Sequence, residues 1–164
     1  MFLLKKQPNL TLPQQLAHQF RTAYFGTNWT ERNLRELLSD VTLEQALTPV
    51  RDLNTIAVLV FHIHYYTQAQ LAVLRGEPLT ASDKYAFTPP PLRTEKDWQR
   101  LLKTTWTEAD TYIALLAQLP EARLTDFFTD EKYGTYYANI QGNLEHLYYH
   151  LGQIASLKIL IAGR

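Results

Sequence analysis

The segment from Leu53 to Leu74 constrains the fold of this chain more than any other stretch. Its β-branched residues would suit a strand, but the apolar pattern runs for about 22 residues, far longer than a typical strand. The pattern stops at Arg75-Gly76, a basic residue and a glycine of the kind that follow a helix C-terminus. We therefore predict a long helix, and because it is apolar nearly all round, we expect it at the centre of the fold.

A second set of apolar residues recurs at helical spacing in the N-terminal part of the chain. Thr11 is suited to cap this helix, and Gly26-Thr27-Asn28 interrupts it, so we expect one broken helix or two helices. Asn28 or Thr30 would cap the second piece, which runs to about Ser39. Residues 40–52 are predicted to form a connection with a short turn at 43–47.

Two more helices are predicted in the C-terminal half, at residues 94–119 and at residues 135–161. The connection at residues 77–93 carries three consecutive prolines, so it cannot be helix interior, and it is long enough to cross a bundle. Residues 121–134 are expected to form a short hairpin or a lid. We predict an all-α four-helix bundle with a long crossover connection, as a single domain over the whole chain.

Composition excludes several classes of function. The formal net charge is zero and the pI is near 7.0, which argues against a general nucleic-acid or anionic-membrane binder. No apolar run reaches the roughly 18 residues that span a bilayer. The charges of residues 1–6 follow a very short apolar run, unlike those of a secretory signal, so we expect a soluble cytoplasmic protein. Because there is no cysteine, any metal must be held by His, Asp or Glu.

Two of the five histidines, His146 and His150, stand four residues apart in the predicted last helix. This spacing puts both imidazoles on one face, one turn apart, where they can share a metal ion. They belong to a polar stripe beside the apolar stripe, as in a lined cavity: Asn139, Asn143, His146, His150 and Gln153. A third ligand must come from elsewhere, and the central helix offers His62 and His64. Apolar periodicity places His64 nearer the core, but the residues alone leave both candidates open.

Two segments resemble the signature segments of the DinB/YfiT-like metalloenzyme family. They are Thr55-Ile56-Ala57-Val58-Leu59-Val60-Phe61-His62-Ile63 and His146-Leu147-Tyr148-Tyr149-His150-Leu151-Gly152-Gln153-Ile154. The resemblance implies a four-helix bundle with a crossover and a divalent metal held by His62, His146 and His150. Zinc or nickel suits such ligands best, with iron or manganese as alternatives. The chain departs from the family pattern in its extra histidine, His64.

Three neutral imidazoles leave coordination positions open for water or substrate, which is typical of a catalytic site. The resemblance implies a metal-dependent S-transferase or hydrolase that acts on a small-molecule substrate, such as a low-molecular-weight thiol. It also implies a homodimer, for which three tryptophans would supply apolar surface: Trp29, Trp98 and Trp106. The alternative is a non-catalytic metal-binding or stress-related bundle that acts as an interaction module.

Three further side chains are predicted to line the pocket or to support the ligands: His64, Asn143 and Tyr149. No residue in either signature segment is an obvious general base. Glu108 and Asp110 are two residues apart, so they point to different faces of their helix, and we expect both on the solvated surface.

Overall fold

The computed structural model describes residues 9–163, so the prediction about a secretory signal at residues 1–6 lies outside the described residues. Within the described range the chain forms six α-helices and no strand. The helices are α1 (Leu12–Phe25), α2 (Leu34–Leu38), α3 (Leu43–Leu47), α4 (Ile56–Leu74), α5 (Glu95–Ala117) and α6 (Tyr136–Ala162). The prediction of an all-α fold is confirmed.

Hydroxyl and amide side chains start the helices largely where the sequence indicates. Thr11 caps α1 and Thr94 caps α5, each by accepting a backbone N–H three residues ahead. The predicted cap of α2 is wrong, because Asn33 caps this helix and Asn28 has another role. The Asn28 amide donates to the carbonyls of Thr22 and Arg32, so it holds the loop between α1 and α2 closed.

The four long helices form a bundle in which each packs against two others. In order around the bundle they are α1, α5, α4 and α6. Helix α6 runs antiparallel to α4, because Gln70 bonds to Asn139 at one end and His62 meets His146 further along. Helices α4 and α5 both begin beside the short helix α3, so these two neighbours run parallel.

A parallel pair of adjacent helices requires the chain between them to travel back along the bundle. The crossover segment, residues 75–94, makes this return and confirms the predicted crossover. It lies along α4 in the reverse direction, since Ser82 and Asp83 bond to Tyr65 and Tyr66, whereas Ala86 bonds to His62. The crossover segment therefore covers part of the surface of α4, including the side of the helix that carries His62.

The tryptophans do not form one surface. Trp98 is fully buried in the core, and its indole N–H donates to the carbonyl of Val41 at 2.8 Å. Trp106 packs edge-on against Phe25, whereas Trp29 is 91% exposed. The expectation that all three tryptophans supply a dimer surface is therefore wrong for Trp98.

The loop before α6 is hairpin-like. Phe127 and Thr135 form an isolated bridge, and the N–H of Phe128 donates to the carbonyl of Gly134 at 2.8 Å. None of the helices in the described range is long and apolar enough to span a bilayer.

Candidate metal centre

Three histidines from two helices converge at one point between α4 and α6. His62 lies in the second turn of α4, and His146 and His150 lie one turn apart on α6. The Nε2 atom of His146 is 2.8 Å from that of His62 and 2.9 Å from that of His150. Among the described residues, these three form the one group of three or more His, Asp or Glu whose ligand atoms all lie within 4.8 Å of each other.

Two of the imidazoles are oriented by hydrogen bonds on their far side. The Nδ1–H of His62 donates to the carbonyl oxygen of Ala86 at 3.0 Å, and that of His150 donates to Oε1 of Gln153 at 2.7 Å. Because both partners are acceptors, the proton of each neutral ring must reside on Nδ1. The Nε2 lone pairs of His62 and His150 therefore face the cluster, which is the form that binds a metal.

A bound cation explains the close approach of the three Nε2 atoms better than hydrogen bonds between the rings do. With lone pairs on His62 and His150, only His146 can bring a proton to the cluster on its Nε2, and one proton can satisfy only one neighbour. A divalent ion accepts all three nitrogens at once and accounts for their approach. The three-histidine cluster is therefore a site that can hold a metal.

Burial keeps these imidazoles in the neutral, ligating form. It is the main cause that lowers the pKa of His62 and of His150 below the usual range for histidine. For His146, burial followed by the proximity of His150 and His62 lowers the pKa to about 4. At neutral pH all three rings are therefore uncharged, so a metal does not compete with a second proton on any of them.

The cluster opens into a cleft of ≈ 640 Å³ between α4, α6 and the crossover segment. Phe87 of the crossover segment stacks on the His62 ring at 3.7 Å between ring centroids. The cleft is lined by His62, Tyr66, Gln70, Asp83, Phe87, Ala138, Asn139, Gly142, Asn143, His146, Tyr149 and His150. The structure thus places the predicted pocket residues Asn143 and Tyr149 at the cleft, beside the three histidines.

A buried polar network supports the cleft at Gln70. The amide of Asn143 and the hydroxyl of Tyr112 both donate to Oε1 of Gln70, at 3.4 Å and 2.7 Å. The Gln70 amide donates in turn to the carbonyl of Asn139 at 2.7 Å. This network fixes α4 against α6 beside the three histidines, so the ligands sit on a rigid support.

His64 does not line the cleft. It is buried on another side of α4, where its Nε2 lies 3.6 Å from Oε2 of Glu108 on α5. Residues two positions apart in a helix point about 200° away from each other around the helix axis. His62 and His64 therefore cannot both face the cluster. Burial lowers the pKa of His64, although Glu108 opposes this shift. The expectation that Glu108 lies on the solvated surface is wrong, whereas Asp110 is exposed and pairs with Arg21.

Several residues at the site were not expected from the sequence. The crossover segment supplies Asp83, Ala86 and Phe87, and no local pattern marks them, because their place depends on the path of a long loop. Gln153 follows His150 by three residues and belongs to the polar stripe of α6. Its role as a hydrogen-bond partner of His150 could therefore be predicted from this spacing.

A second cavity of ≈ 400 Å³ also has Tyr149 in its lining. Tyr149 lines both cavities, packs edge-on against the His150 ring and accepts a hydrogen bond from the Gln153 amide at 3.2 Å. One residue that lines both cavities therefore contacts His150, a candidate metal ligand.

The family model of the DinB superfamily matches residues 27–154 of the chain. This range covers α2 to most of α6 and includes the three clustered histidines. No curated protein and no solved structure matches the chain significantly.

Proposed function

The chain belongs to the DinB superfamily, and from that premise we propose that it is a metal-dependent enzyme with a three-histidine centre. His62, His146 and His150 would hold a divalent ion, zinc or nickel in preference to iron or manganese. The substrate is a small molecule, a low-molecular-weight thiol, and the reaction is S-transfer or hydrolysis. The observation that carries the proposal is the convergence of three Nε2 atoms at the edge of an open cleft.

The protein's own residues prepare this site. A bound ion would supply Lewis-acid chemistry, lowering the pKa of a thiol or water in the cleft. Ala86 and Gln153 hold the rings of His62 and His150 in the ligating tautomer. Phe87 covers one face of the His62 ring and limits the approach of water from that side. Asn143, whose amide already donates to Gln70, lines the wall of the cleft where a substrate would lie.

The cleft favours the catalytic proposal over a purely structural metal site. A structural zinc site is closed by four protein ligands, whereas three histidines beside a cleft leave room for a substrate. The non-catalytic alternative, a metal-binding interaction module, would bind the ion and lack thiol chemistry. A homodimer stays a proposal, which light scattering on the purified protein can test.

The test begins with untagged protein that has been stripped by a chelator and reloaded. We expect about one zinc or nickel ion per chain, a higher melting temperature with metal, and metal-dependent transfer of cysteine to 1-chloro-2,4-dinitrobenzene. His146→Ala should lose all three properties, and His18→Ala, which alters an exposed histidine on α1, should keep them. Failure to bind metal would contradict the proposal, and metal binding without thiol chemistry would favour the interaction module.

A further inference from the structure

Apart from the charge of a bound metal ion, the charge of the described cleft wall comes from a single carboxylate. Among the described residues that line the cleft, Asp83 is the one acidic side chain, and none is Lys or Arg. The neighbouring Lys84 does not line the cleft, and its Nζ lies over the Tyr85 ring, 5.3 Å from the centroid. An anionic substrate would therefore find no basic side chain in this wall, whereas a cationic one would find a partner.

Asp83 is held in place from α4. The Tyr66 hydroxyl donates to Oδ1 of Asp83 at 2.5 Å. The hydroxyl is the donor in this hydrogen bond, because a carboxylate oxygen can only accept. The Tyr66 ring lies edge-on to the rings of His62 and His146, with centroids 5.1 Å and 5.2 Å apart. One tyrosine side chain therefore links the carboxylate to two of the three clustered imidazoles.

We propose that Asp83 selects the substrate by charge, so that the cleft prefers small thiols carrying an ammonium group over thiols carrying a carboxylate. This inference rests on the proposed function, because it assumes that the sulfur is directed to the metal centre. Asp83 would then meet the other end of the molecule from its place in the crossover segment. It is a specificity residue in this account and takes no part in breaking or forming bonds.

The expected effect is modest because Asp83 is exposed. Exposed ion pairs are screened by water and salt, and they change a binding constant by about two- to five-fold. Asp83 should strengthen the binding of a thiol with an ammonium group by such a factor. It should weaken the binding of a thiol with a carboxylate by a similar factor. A neutral thiol should be indifferent to the charge at this position.

The test is isothermal titration calorimetry on the zinc-loaded protein with cysteamine, 2-mercaptoethanol and 3-mercaptopropionate. We expect Asp83→Asn to weaken cysteamine binding about two- to five-fold, to strengthen 3-mercaptopropionate binding by a similar factor and to leave 2-mercaptoethanol unchanged. Comparing each thiol between variant and wild type cancels the intrinsic differences in thiol acidity. Glu77→Gln is the matched control, because it removes one exposed negative charge from the same segment outside the cleft.

The outcomes separate this inference from the proposed function. If zinc binds and Asp83→Asn changes the three thiols equally or not at all, charge selection by Asp83 is wrong and the metal centre stands. If Glu77→Gln produces the same pattern as Asp83→Asn, the effect belongs to the overall charge and the inference is again overturned. If the protein binds no zinc, the proposed function fails and this inference fails with it.

Discussion

The hydrogen bond between His150 and Gln153 gives a sharp test of how the site is held. In Gln153→Leu the Nδ1–H of His150 loses its acceptor at 2.7 Å, and the ring is free to turn or to change tautomer. Loss of such a partner typically costs 10- to 100-fold in metal affinity, or about 1.4–2.7 kcal/mol. We expect the lower half of this range, because the bond between His62 and Ala86 remains and still orients a second ligand.

The assay is competition for zinc with a chromophoric chelator at pH 7. Gln153→Glu is the informative companion, because a carboxylate also accepts from Nδ1–H and should keep or raise the affinity. Gln141→Leu is the matched control on the same helix, since Gln141 bonds to Glu145 and does not contact the cluster. Wild-type affinity in Gln153→Leu, or an equal loss in Gln153→Glu, would refute the proposed orientation of His150.

Three further predictions test the ligand set, the pH response and the core. His62→Ala should abolish the rise in melting temperature that zinc causes, whereas His64→Ala should retain it. The pKa of His146 is lowered from 6.5 to about 4 in the folded protein. Between these two pH values, His146 therefore binds a proton in the unfolded chain and not in the folded chain. The metal-free protein should therefore lose stability as the pH falls from 6.5 toward 4, as urea unfolding at several pH values will show. Trp98→Ala should lower the free energy of unfolding by roughly 3–5 kcal/mol, while the exposed Trp29→Ala should change it by less than about 0.5 kcal/mol.

Local patterns predicted the parts of the fold that depend on neighbouring residues. The apolar run that ends at Arg75-Gly76 predicted α4, because a run of that length has few alternatives to a helix. The caps at Thr11 and Thr94 followed from side chains that satisfy free N–H groups in the first turn. The pair His146 and His150 was visible because one helical turn brings them together without any tertiary information.

The rest of the site depends on tertiary contacts that no local pattern contains. The helical periodicity of α4 placed His64 nearer the core and could not choose between His62 and His64, because a helix that is apolar nearly all round has no clear polar face. His64 is indeed buried, yet it meets Glu108 of α5 and not the cluster. Ala86 and Phe87 reach His62 only because α4 and α5 run parallel and the chain must return between them.

Metal binding by the three histidines is tested most directly by a crystal structure of the zinc-loaded protein, with anomalous diffraction measured across the zinc absorption edge. We expect one strong anomalous peak at the cluster, about 2.0–2.1 Å from the Nε2 atoms of His62, His146 and His150. No peak at the cluster, or a peak between His64 and Glu108 in its place, would contradict this expectation.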